Sequence, residues 1–215
     1  MSAVSLSNQQ IFRILDEERN EVHYGCDQEW YRKKWQRLSG CGPTAASNII
    51  HYISSSESDD CSSKENCLEL MEEVWLYVTP ARDGIKTTKM FCESFLAFAE
   101  EKGINVEAKV CDVPKEKSLR PGISDVAEFL EEALSNDSPV AFLNLCNGEE
   151  SNLERWHWVT VVSMEYSEAE RRLFIKILDE GMIKRIDLTL WYRTTTLGGG
   201  FAYFMNNKDE AKDVF

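Results

Sequence analysis

The strongest constraint on this chain's fold is where its two kinds of apolar periodicity lie. Up to residue 103 the apolar positions recur three and four apart, whereas from residue 139 onward they alternate or run continuously over short stretches. "SNQQIFRILDEERNEV" at 7–22 spaces Ile11, Ile14 and Leu15 at helical intervals behind Ser7 and predicts an amphipathic helix. After Pro43, which suits a first helical turn, Ala45, Ala46, Ile49, Ile50 and Ile53 continue a second helix. "KENCLELMEEVWLYV" and "TTKMFCESFLAFAEEKG" predict two more, the last closed by Gly103. "INVEAKV" then alternates like a strand, "ISDVAEFLEEALSND" predicts a helix, and "PVAFLNL" fits a buried strand. Strand patterns follow in "RWHWVTVVSMEY", "RRLFIKILDE", "MIKRIDLTLWYR" and "FAYFMN", with a turn at "SEAE" between the first two. Helices first and strands later predict an α+β fold, a helical layer packed on an antiparallel sheet.

No compositional break divides the 215 residues, which predicts one domain: a helix and lead-in over 1–35, a mainly helical part over 36–123 and a mainly sheet part over 124–215. The polar stretch "SSSESDDCSS" at 54–63 reads as a surface loop. Neither a signal peptide nor an apolar run long enough for a membrane span is visible, so a cytoplasmic location is expected. Seven cysteines at irregular spacing point to reduced thiols rather than a disulfide frame. A net charge of −13 argues against nucleic acid or an anionic membrane as a partner, since both require clustered cations. One basic cluster, "YRKKWQR" at 31–37, interleaves aromatics with cations, and a solvated face explains it as well as an anionic ligand does.

The residues that carry chemistry begin with "QRLSGCGPTAASNIIHYI" at 36–53. Cys41 stands at the start of a helix, where unpaired amides and the helix dipole favour a thiolate. Gly40 and Gly42 leave room for a substrate beside the sulfur, although the same four residues also read as a tight turn into a buried helix. A thiol that attacks carbonyls needs a base, and there are three histidines. His23 lies in a polar stretch, and His51 is about 15 Å along the same helix as Cys41. His157 heads the strand "HWVTVVSM". If the following turn centres on Glu168, paired residue numbers sum to 336 and His157 stands directly opposite Asp179, at the end of an apolar stripe. A carboxylate there would accept the Nδ1 proton and leave Nε2 directed at the thiol. Taken singly, His157 reads as a core histidine and Asp179 as a turn residue before Gly181; in the order Cys, His, Asp they read as a catalytic set.

These segments resemble the papain-like cysteine peptidase superfamily, in particular the bacteriocin-processing double-glycine peptidases and their stand-alone relatives. The resemblance rests on "SGCGPTAASNI", on "SPVAFLNL" preceding "HWVTVVSM", and on "LFIKILDEG". It implies a papain-like fold with Cys41 as nucleophile, His157 as general base and then acid, and Asp179 as the orienting group. It also implies a glutamine upstream of the cysteine whose amide meets the oxyanion; Gln36 is the candidate, one residue closer than the family spacing. The implied reaction is hydrolysis of a peptide or other small amide through a thioester, and acyl transfer uses the same set. Residues 57–123 match no part of the family, and no ATP-binding or transmembrane part of a transporter is present, so leader export is not expected. A non-catalytic peptide-binding protein that kept the fold is the alternative. No cofactor is implied, and Cys61, Cys67, Cys92 and Cys111 lack the paired spacing of a zinc site. Oligomeric state is left open.

Overall fold

The computed structural model describes residues 2–55 and 62–206. In chain order the elements are β1 (Ser2–Ser5), β2 (Arg13–Asp16), β3 (Glu21–Tyr24), α1 (Lys34–Ser39), α2 (Cys41–Ser54), β4 (Ser62–Ser63), α3 (Lys64–Trp75), α4 (Thr88–Glu101), β5 (Val106–Val113), α5 (Ile123–Ser135), β6 (Val140–Asn144), β7 (His157–Ser167), β8 (Arg172–Asp179), β9 (Met182–Asp187), α6 (Leu188–Thr194) and β10 (Gly199–Asn206). Short 3-10 turns occupy Gln9–Phe12, Gln28–Trp30 and Lys117–Leu119.

Seven strands form one sheet in the order β5-β10-β6-β7-β8-β9, with β1 against β7, and every neighbouring pair is antiparallel. The period-two side-chain alternation of a strand sorts its residues into two cores. Val140, Phe142, Val159, Val161, Phe201 and Tyr203 face one, which α5 and α6 cover with Val126, Leu130 and Trp191. Ala141, Leu143, Trp158, Ala202 and Phe204 face the other, against Ala45, Ala46 and Ile49 of α2 and Phe91, Phe95 and Phe98 of α4. Aromatic stacking ties α4 to the sheet: Phe95 lies 3.6 Å from Phe204 and Phe91 lies 4.3 Å from Trp158. The small residues of α2 bring its backbone close to β7, so the first turn of α2 reaches the end of the strand that starts at His157.

The architecture is the α+β arrangement expected, a helical layer on an antiparallel sheet, with α5 and α6 covering the second face as well. Two segments differ from expectation. Residues 7–22 form no amphipathic helix; a 3-10 turn leads into the β2–β3 hairpin, reversed through Asn20 at φ +54°. Ile14 and Asp16 are both buried on β2, a period-two pattern, and Asp16 is satisfied there by Lys64 at 2.7 Å and by the amides of Glu18 and Arg19. Burial with those partners outweighs the helical spacing of three apolar residues. The strand expected to run through "MIKRIDLTLWYR" ends at Asp187, whose carboxylate accepts from the Leu190 amide at 2.8 Å and so starts α6. That helix buries Trp191 completely. Most of the polar loop expected at 54–63 lies outside the described residues, as does Cys61. The six described cysteines are free thiols. Among the described residues no helix is long and apolar enough to cross a membrane.

Candidate active site

Cys41 is the first residue of α2 and is half-buried. Gly40 joins α1 to α2, and its carbonyl accepts from the Thr44 amide at 2.9 Å. A Cβ on Gly40 would collide with the Gln36 carbonyl and come within 2.8 Å of the Tyr31 ring; one on Gly42 would come within 2.8 Å of Ile85 Cδ1. Gly40 is therefore demanded by packing against backbone, whereas at Gly42 the contact is with the end of the Ile85 side chain, which can move.

His157 opens β7 opposite Asn144 of β6. Asn144 is itself held on both sides: its Nδ2 donates to the Glu154 carbonyl and its Oδ1 accepts from Trp191 Nε1 at 2.8 Å. The next residue, Trp158, donates from Nε1 to the Ile85 carbonyl at 2.8 Å. The preceding residue, Trp156, is 56% exposed and sits at φ +57°, a conformation rare for a bulky side chain. His157 Nε2 lies 2.7 Å from Asp179 Oδ1. Asp179 Oδ2 accepts from Lys184 Nζ at 2.7 Å, and the same ammonium donates to Glu180 at 2.6 Å.

Burial is the largest influence on His157 and pulls its pKa down. The bonds to Asp179 and to Cys41 outweigh it and carry the imidazole up to about 10. Burial likewise pushes Asp179 upward, and its bonds to His157 and Lys184 overcome this and hold it below the usual carboxylate range. The arrangement is a buried imidazole between the Cys41 sulfur and a carboxylate whose far oxygen is paired with a lysine.

The structure brings Cys41, His157 and Asp179 together, by a different register from the one expected. The turn is centred later: Ser167 pairs with Arg172, and Met164 with Ile175. That offset alone is odd and would send His157 to the wrong face. A bulge between Val161 and Ser163 restores the parity, so that Thr160 pairs with Leu178. His157 and Asp179 then meet diagonally past the last paired residues rather than directly opposite. The ring is also reversed relative to expectation: Asp179 takes Nε2, which leaves Nδ1 for the thiol.

Gln36 does not face the thiol. It is buried on α1, donating from Nε2 to Glu72 at 2.7 Å and accepting from the Lys33 amide at 3.2 Å, so its amide is committed to joining α1 and α3. Gln28 lines the same small cavity as Cys41, His157 and Asp179, and its Oε1 is buried without a partner among the described residues. The loop that carries it is fixed from below. Asp27 caps the turn by accepting from the Glu29 amide at 2.9 Å, and the Cys26 amide donates at 2.7 Å to Asn48 of α2, which donates in turn to Thr160 of β7. The sequence signal that could have found it is "GCDQE", a glycine and an Asx cap directly before a glutamine. The other histidines are elsewhere: His51 Nε2 contacts the Ile11 carbonyl at 3.0 Å, and His23 packs against Trp30 and Gly181.

No protein-family model matches the sequence, and no curated protein does. Among solved structures the chain is similar to the crystal structure of UfSP from C. elegans, at 10% sequence identity and a TM-score of 0.52, over 95% of this chain and 34% of that one. The chain thus spans about a third of the length of that neighbour. The likeness establishes the papain-like cysteine peptidase fold.

Proposed function

We propose that this protein is a thiol hydrolase that cleaves a peptide or other amide bond, with Cys41 as nucleophile, His157 as general base and acid, and Asp179 as the orienting carboxylate. The observation that carries the reading is the line from thiol to imidazole to carboxylate, in which His157 Nε2 is 2.7 Å from Asp179 and the remaining ring nitrogen is free for the sulfur. A papain-like fold supports it by putting the thiol at a helix start beside the strand that bears the histidine.

The thiolate of Cys41 attacks the amide carbonyl, and the C=O π pair moves onto oxygen. When that oxyanion collapses, the C–N bond breaks and the leaving nitrogen takes the proton from His157 Nδ1. Water then gives a proton back to Nδ1 as it attacks the thioester, which releases the acid and restores the thiol–imidazole pair. Gln28 replaces Gln36 in the oxyanion role: it lines the cavity that holds Cys41, where its side-chain NH2 would donate to the oxyanion beside the Cys41 backbone N–H. Kinship with the double-glycine peptidases rests on the motif likeness alone.

Residue-resolved iodoacetamide alkylation from about pH 5 to about pH 9, together with a panel of fluorogenic peptides and amides, tests the reading. Cys41 is expected to react fastest below neutral pH, to lose that advantage in His157→Ala, and to be required for hydrolysis. Reaction of Cys41 no faster than Cys92 and Cys111, with no turnover, would overturn it.

A further inference from the structure

Asp179 is buried at 6% exposure, and a buried carboxylate with one partner leaves lone pairs unsatisfied at a cost. Here the second oxygen goes to Lys184, and the local backbone puts that ammonium within reach. Glu180 and Gly181 both have positive φ, at +52° and +68°, the signature of a two-residue hairpin turn that matches strand twist. The turn sets Asp179 opposite Met182, so Lys184, two residues further, is its diagonal neighbour on the same face. The Lys184 side chain is 21% exposed and its ammonium bonds Asp179 at 2.7 Å and Glu180 at 2.6 Å.

We propose that Lys184 is a positioning residue of the site: by holding the second oxygen of Asp179 it fixes the carboxylate against His157 and shares its negative charge. The proposal rests on the reading of Cys41, His157 and Asp179 given above. A carboxylate facing only the imidazolium would bind that proton tightly, and a general acid has to release it to the leaving amine. Lys184 divides the carboxylate's charge between two cations, while Glu180 at the rim keeps the ammonium in place. The other groups around His157 are the Cys41 thiol from α2 and the uncharged Asn144 from β6; Glu154 and Arg155 precede it in the chain, and His23 of β3 stands against Gly181.

The sign of the effect follows from charge. Removing the ammonium frees Asp179 for His157 alone and removes one cation from its surroundings, so the imidazole should hold its proton to higher pH. The test is NMR titration of the His157 ring in a Cys41→Ala background, where no thiol contributes. Lys184→Met is expected to raise the midpoint by roughly half to one pH unit, and Lys184→Arg to leave it near the parent value. With Cys41 present, kcat of Lys184→Met should fall on the order of tenfold, because the carboxylate that orients the ring is loosened. Thermal unfolding of each variant separates this from a loss of fold, and Lys184→Gln serves if the methionine variant is unstable. An unchanged or lowered midpoint in the neutral variants, or an equal rise in Lys184→Arg, overturns the proposal. Failure of the hydrolase reading looks different: the wild type would show neither turnover nor fast Cys41 alkylation, and the His157 midpoints would still decide the part played by Lys184.

Discussion

Cys146 and Cys41 sit in contrasting environments: Cys146 is surrounded by donors that stabilise a thiolate, and Cys41 stands beside a base. Cys146, just past β6, accepts from Thr196 Oγ1 at 3.2 Å; that bond, reinforced by the Thr196 and Gly148 amides and by Arg155, brings its thiol down to about 7 against the pull of burial. Its own carbonyl is held by Thr195 and Trp191, and the side chain belongs to a buried residue at 8% exposure. Cys41 has fewer donors and a partner that can carry a proton. The contrast teaches that donors can ionise a thiol, but turnover needs a group that gives the proton to a leaving nitrogen afterwards.

The largest test of that contrast is removal of each sulfur. Cys41→Ala is expected to abolish hydrolysis, whereas Cys146→Ser should stay within about twofold of wild type, read as kcat/KM on the best amide of the panel. Equal losses would erase the distinction. Next is the oxyanion side: Gln28→Ala should lower kcat on the order of a hundredfold, and Gln36→Ala should leave kcat nearly unchanged while costing roughly 1 kcal/mol of stability through its bond to Glu72. The reverse ranking would return the role to Gln36. Smaller again is the response of alkylation. Thr196→Val should slow modification of Cys146 at neutral pH by a few fold and leave Cys41 untouched, and His157→Ala should do the opposite. Cys92 and Cys111, whose thiols burial pushes up to about 12 and about 11, are the slow internal references.

On stability the two environments act with opposite signs as pH changes. Against the pull of burial, the bonds to Asp179 and Cys41 push His157 up to about 10 from an ordinary 6.5, so its pairing stabilises fully below 6.5 and is lost as pH rises towards 10. Cys146 titrates at about 7 against an ordinary 9.0, so its contribution is full above 9 and lost as pH falls through 7. The gap in thermal midpoint between wild type and His157→Gln should therefore narrow from pH 6.5 upward, while that for Cys146→Ser widens. Parallel trends would show that the two environments do not differ as described.

Much of this was legible in the chain. Small residues after "GCGP" and the apolar alternation around His157 made α2 and β7 visible, because burial imposes a period on any sequence that folds this way. The N-terminal hairpin was not visible, since Ile11, Ile14 and Leu15 satisfy a helical period as well as a strand, and the pairing of buried Asp16 with Lys64 that decides between them joins residues 48 positions apart. The His157–Asp179 contact was anticipated through a register that the molecule does not use. The later turn and the bulge after Val161 compensate each other, and nothing in the local composition announces either.

The sequence by itself determined the elements that bear Cys41, His157 and Asp179 and the order of these residues along the chain, because periodicity and residue type are local properties. Tertiary structure alone decided which ring nitrogen faces Asp179, that Gln28 and not Gln36 shares the cavity with the thiol, and that Lys184 closes the network. Those are matters of ångströms between residues distant in the chain, set by a bulge, a two-residue turn and the packing of α2 on β7, and hydrogen bonds of 2.7 Å tolerate no error in any of them.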